Sequence, residues 1–155
     1  MRKQLEKMGK ERHQFTGTFD RLGLKMSQGN GRGNHRYTPT ICLKNIIDEQ
    51  GKLVADHLWF NYSSSFLKVG ELHPQDRIEF TAIPVEYHKD YHHEKRDMKL
   101  GKVSSVHLIT HYHPYKPMPL AKTAAVGYVM SINGDEGHGH YSTAYHKWAF
   151  AQING

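Results

Sequence analysis

A change of apolar parity partway along an extended segment constrains this chain more than any other feature. In the run 13–25, Phe15 and Phe19 share one parity, Leu22 and Leu24 take the other, and Gly17 and Gly23 lie inside. Successive side chains of a strand point to opposite faces, so such a switch requires a bulge or a sharp bend. The run 77–87 repeats the pattern. Ile78 and Phe80 alternate, then Ile83, Val85 and Tyr87 continue on the opposite parity, with Pro84 just past the switch. A flat sheet has no use for two bent strands, whereas a sheet that curls toward closure needs them.

Three further extended segments complete the set. Ile41 and Leu43 mark a strand over 38–46, and Asp48-Glu-Gln-Gly51 is a hairpin-type turn. In 53–62, Val54, Leu58, Phe60 and Tyr62 face one way while His57, Trp59 and Asn61 face the other. Residues 63–73 fit a short helical link, with serines for an N-cap and Phe66, Leu67 and Val69 turned inward. The fifth strand spans 99–109. Three strands, a helical link and two strands is the order of an OB-fold, so the expected class is mainly β: an OB-like five-stranded Greek-key barrel with a C-terminal hairpin extension. Another small β-barrel or a sandwich is the alternative. The expected core is Phe15, Phe19, Ile41, Leu43, Leu58, Phe60, Ile78, Phe80, Val85 and Leu108.

At 155 residues the chain is the length of one ordinary domain. Its expected organisation is a basic N-terminal arm or short helix at 1–11, the barrel at 12–109, a Pro-rich linker at 110–122, and a hairpin at 123–155 packed on the barrel. Asn133-Gly134 is the hairpin signal, and the second arm fits a strand or a short helix. No apolar run approaches the roughly 18 residues a membrane span needs, and no apolar stretch follows the charged N-terminus as in a signal peptide. The single cysteine, Cys42, excludes an intramolecular disulfide and a Cys-based zinc finger. A cytoplasmic location follows as the expectation, with no membrane partner.

The net charge is +6, which suits polyanionic partners as well as mere solubility. In an OB-fold the loops joining strands one to two and four to five border the nucleic-acid face. Here the first, at 26–37, carries Arg32, His35, Arg36 and Tyr37 with no acid. The second, at 88–98, carries Lys89, Tyr91, Lys95 and Arg96, balanced by Asp90, Glu94 and Asp97. Single-strand binders combine a positive track with aromatic platforms. Trp59, with His57 beside it and Lys44 nearby, is the candidate platform; the competing reading buries Trp59 beneath the C-terminal segment.

Other chemistry finds less support. The glycine loop 28–34 lacks the Gly-x-x-x-x-Gly-Lys-Ser/Thr pattern and does not lead from a strand into a helix. The pairs His111-x-His113 and His138-x-His140, with His146, raise zinc, but among thirteen histidines pairs arise by chance and no carboxylate motif completes them. Neither a metal nor another cofactor is expected. Ser63-Ser-Ser65 lacks a nucleophile elbow, Cys42 sits among apolar neighbours, and the carboxylates are scattered. No catalytic residue is assigned; a metal-dependent nuclease using the histidine pairs is the remaining enzymatic alternative.

Four stretches carry a resemblance: Thr16-Gly-Thr-Phe-Asp-Arg, Thr40-Ile-Cys-Leu-Lys-Asn-Ile-Ile-Asp-Glu-Gln-Gly, Asp56-His-Leu-Trp-Phe-Asn-Tyr and Gly70-Glu-Leu-His-Pro-Gln-Asp-Arg-Ile-Glu-Phe-Thr-Ala. Over residues 12–109 the chain resembles small uncharacterised OB-type proteins carried by phages and integrative elements of Gram-positive bacteria. The resemblance implies a bacterial host cell and transfers no catalytic residue. Mobile elements of this kind also carry anti-CRISPR proteins. The expected function is therefore non-enzymatic binding of single-stranded nucleic acid or a nucleoprotein complex. The alternative is a counter-defence inhibitor of a CRISPR effector nuclease, acting on a protein surface or on bound nucleic acid because a basic chain is a poor mimic of DNA.

Overall fold

A computed structural model of the chain describes residues 3–28, 35–88, 96–110, 113–134 and 139–154. The elements are α1 (Lys3–Lys7), β1 (His13–Gln28), β2 (His35–Asp48), β3 (Leu53–Asn61), α2 (Ser64–Leu67), β4 (Arg77–His88), β5 (Arg96–Thr110), α3 (Lys122–Ile132) and α4 (Gly139–Asn154). The fold is mainly β. The five strands make one antiparallel sheet in the order β3-β2-β1-β4-β5. The sheet is open: among the described residues no pairing joins β3 to β5.

Where the strands bend follows in part from the sequence. In β1, Phe15, Gly17 and Phe19 are buried and the next buried apolar residue is Leu22, so the parity changes there as expected. The switch expected at Ala82–Pro84 does not occur. Ile78, Phe80, Ala82 and Pro84 are all buried, which keeps one parity through β4, and Ile83 and Val85 are half-buried on the opposite face. The irregularity lies in the partner strand. The β4–β5 register slips three times, and Lys102 (φ 51°) and Ser105 (φ 52°) hold the left-handed conformation of bulge residues. Pro84 is accommodated because the β1–β4 pairing ends at His13↔Ala82, so no N–H is required of it on that side. Asn45 (φ 52°) makes a further switch in β2, between buried Leu43 and buried Ile46.

The chain divides into two compact units. The first comprises Met1–Asp20, Cys42–Phe60 and Leu72–His113. Its centre is aromatic: Phe80 stacks on Phe15 (centroids 5.8 Å apart) and takes the edge of Phe60 at 5.5 Å. Leu43, Leu58 and Ile78 are buried here, and Leu5 of α1 is fully buried too, so the N-terminal segment carries a packed helix. Phe19 is likewise buried as expected, as is Ile41 of the other unit, whereas Val85 and Leu108 are only half-buried.

The second unit comprises Arg21–Ile41, Asn61–Glu71 and Pro114–Gly155. Here the structure corrects the first arm of the expected C-terminal hairpin, which is a helix, while the second arm takes the helical alternative over 16 residues. Residues 124–130 are buried without a break, a pattern of a helix covered on all sides rather than of a half-exposed strand. Asn133 is the C-cap of α3, with φ −87°, which excludes the type I′ turn that Asn-Gly suggested; Gly134 follows in the left-handed conformation that ends many helices. Asn133 Nδ2 donates to the Leu22 carbonyl oxygen at 3.1 Å. A Cβ on Gly127 would overlap the Tyr141 carbonyl oxygen and Tyr145 Cβ, so the bare glycine is what lets α3 and α4 approach.

Candidate nucleic-acid interface

The alternation of β3 sends Val54, Leu58 and Phe60 inward and His57 and Trp59 outward. Trp59 is 45% exposed, so nearly half of its surface faces solvent. The His57 side chain is 53% exposed and its Nε2 lies 4.0 Å from Asp20 Oδ2 on β1. Lys44 is half-buried on β2, the strand that pairs with β3. These three residues lie within the first unit.

Arg36 and Tyr37 belong to the second unit. Arg36 is exposed. Tyr37 is half-buried: its ring meets Tyr141 edge-on at 5.6 Å, and its backbone N–H donates to the Tyr141 hydroxyl at 3.3 Å. That contact ties the start of β2 to α4. Arg32, Lys89, Tyr91 and Lys95 lie outside the described residues. His35 and Arg96 open β2 and β5, and their side chains lie outside the described part of the structure.

No known protein family, curated protein or solved structure matches this chain. What the site can do therefore rests on its own chemistry. An indole half in solvent can stack on a planar group, and lysine and histidine side chains of the same strand pair can meet an anion.

Two polar clusters escaped the sequence reading. In the first unit, Asp76 is buried, and its Oδ2 accepts from the His73 backbone N–H at 2.9 Å and from His113 Nε2 at 2.6 Å. The His73 and His113 rings stack at 3.7 Å. His113, read as one half of a metal-binding pair, is thus engaged with a carboxylate. In the second unit, the Tyr128 hydroxyl donates to Glu71 Oε2 at 2.9 Å. Burial, reinforced by the negative charge of Glu71, pushes Tyr62, Tyr128 and Tyr145 above the ordinary phenol range, so all three stay protonated. Both clusters join residues far apart in sequence, and only the short spacing His73-x-x-Asp76 signals one of them.

Among the described residues no group of three or more His, Cys, Asp or Glu side chains is placed to hold a metal ion. His111 and His138 lie outside the described residues. The His140 and Tyr141 ring centroids lie 4.0 Å apart with the planes tilted by 35°, and Cys42 is buried. No described helix is long and apolar enough to cross a membrane.

Proposed function

We propose that this protein binds single-stranded nucleic acid, free or within a nucleoprotein complex, and has no catalytic activity of its own. The observation that carries the reading is Trp59: a large aromatic side chain, 45% exposed on a sheet face, in a chain of net charge +6. The strand order supports it. The order β3-β2-β1-β4-β5 fits an OB-like arrangement, left open among the described residues between β3 and β5, and the β2–β3 face is where OB-folds take oligonucleotides. In this reading Trp59 stacks on a base, while His57 and Lys44 meet the backbone.

The experiment is a titration with a short single-stranded oligonucleotide at low salt, following tryptophan emission in the Trp148→Phe variant, where Trp59 alone reports. Saturable quenching with a matching mobility shift supports the proposal. Absence of both removes free nucleic acid as the ligand. The same residues would then be tested for inhibition of a CRISPR effector protein.

A further inference from the structure

The N-terminal segment is tied to the sheet at two points. At the first, Arg12 Nη1 donates to the Lys102 carbonyl oxygen at 2.7 Å and to the hydroxyls of Thr81 and Ser104 at 3.0 Å each. At the second, His13 Nδ1 is 2.8 Å from Glu49 Oε1 and His13 Nε2 is 2.9 Å from the Met8 carbonyl oxygen. Carboxylate and carbonyl oxygens only accept, so both ring nitrogens carry hydrogen, which makes the ring an imidazolium. The charges around it agree. The hydrogen bond to Glu49 holds the His13 ring above the ordinary imidazole range against its partial burial, with Glu11 adding to the effect. Glu49 is held below the ordinary carboxyl range, first by the Gln14 N–H on its other oxygen and then by His13, with neighbouring Asp48 opposing. On the far side of Met8 the chain turns at Gly9, whose φ of 74° few other residues adopt.

The segment so held walls a cleft of about 710 Å³. Its apolar lining residues are Ile83, Pro84, Val85 and Met98. Glu6, Gly9 and Lys10 form the facing wall. That volume falls within the range of small-molecule sites, which combine an apolar lining with a few polar groups. At the rim, Lys10 and Lys102 stand against Glu6, Glu86 and Asp97, a mixture that does not favour a strongly charged ligand of either sign.

We propose that this cleft binds an uncharged, apolar small molecule, and that the doubly hydrogen-bonded His13 imidazolium holds its α1-side wall in place. When His13 loses a proton, one of its two bonds must go and its attraction to Glu49 goes with it. The Arg12 tie remains, because a guanidinium does not titrate in the accessible range. Binding is therefore strongest in mild acid and weakens as pH rises through the elevated His13 value. On the acid side Glu49 keeps its charge below the ordinary carboxyl range, so the latch survives there.

The test uses Nile red, an uncharged dye, in fluorescence titrations of the full chain at about pH 6 and about pH 9. Wild type should bind about three- to fivefold more weakly at the higher pH, the size of effect one partly exposed ion pair supports. His13→Gln should bind at the weaker level at both values. Val85→Lys, and Met98→Lys should the first misfold, should lose binding at both while keeping the far-ultraviolet circular dichroism of wild type. Dye binding undiminished in the folded variants of these lining residues overturns the cleft, since the dye would then sit elsewhere, for instance on the exposed Phe150 and Ile153 of α4. Absence of binding by wild type at both values overturns it equally. A pH dependence that persists in His13→Gln, or is missing from wild type, overturns the latch.

Discussion

His113 Nε2 lies 2.6 Å from Oδ2 of Asp76, a carboxylate with 2% of its surface exposed. The same oxygen takes the His73 N–H, so this one acceptor anchors both the turn before β4 and the segment after β5. Removing the carboxylate strips two charge-assisted hydrogen bonds. Asp76→Ala should lower unfolding free energy by at least about 3 kcal/mol. His113→Ala leaves the backbone N–H in place and should cost about 1.5–3 kcal/mol. Urea denaturation measures both. A loss under about 0.5 kcal/mol, as for an ordinary surface site, would refute the assignment.

The His13–Glu49 pair predicts a pH profile of stability. His13 is raised on folding, so its contribution is full below the ordinary imidazole value and is lost as pH rises through the elevated one. Glu49 is lowered, so its contribution is full above the ordinary carboxyl value and is lost as pH falls through the depressed one. The two overlap at roughly pH 4.5–6.5. In that window wild type should exceed His13→Gln by no more than about 1 kcal/mol, since Glu49 is 41% exposed. Melting temperatures of the two proteins should converge at alkaline pH; a constant gap would contradict the pairing.

Gly127 tests the helical C-terminal region. With the Tyr141 carbonyl and Tyr145 Cβ where a side chain would go, Gly127→Ala should cost about 1–3 kcal/mol despite the better helix propensity of alanine. If these residues formed a solvent-exposed strand instead, the substitution would be nearly neutral. Thermal unfolding followed by circular dichroism distinguishes the two.

For the proposed ligand, stacking and charge should separate. Trp59→Ala should weaken oligonucleotide binding by about 1–3 kcal/mol with the salt dependence unchanged. Lys44→Ala should flatten the log–log salt slope by about 0.7, the value of one phosphate that is no longer neutralised. A Trp59 variant that binds like wild type removes the platform.

Phe60 closes the aromatic centre against Phe80, and Phe60→Ala should cost about 3–5 kcal/mol in equilibrium unfolding. This residue also shows what was legible in advance. The alternation Leu58, Trp59, Phe60 fixes which face of β3 is buried, because a strand has period two and only one face reached the core. That His57 and Trp59 lie on the face opposite the core was readable for the same reason, whereas the exposure of Trp59, rather than cover by the C-terminal segment, was not. The stretch 123–132 was not, since a continuous apolar run fits a buried strand and a buried helix alike. A usable signal lay further on: Tyr141, Tyr145 and Trp148 stand four and three residues apart, the spacing of one helical face.

Period and side-chain volume thus determined, from sequence alone, the five strands, the inward aromatics and the outward tryptophan. Tertiary structure decided the rest, because each remaining feature joins residues that no local pattern connects. The bulges fell in β5 rather than β4, since a register slip belongs to a pair of strands and either partner can carry the extra residue. Tyr37 turned to Tyr141, across more than a hundred residues, a contact that no local pattern announces. Asp76 found His113, and Glu71 found Tyr128, because a buried polar atom must meet a partner wherever the fold brings one within reach.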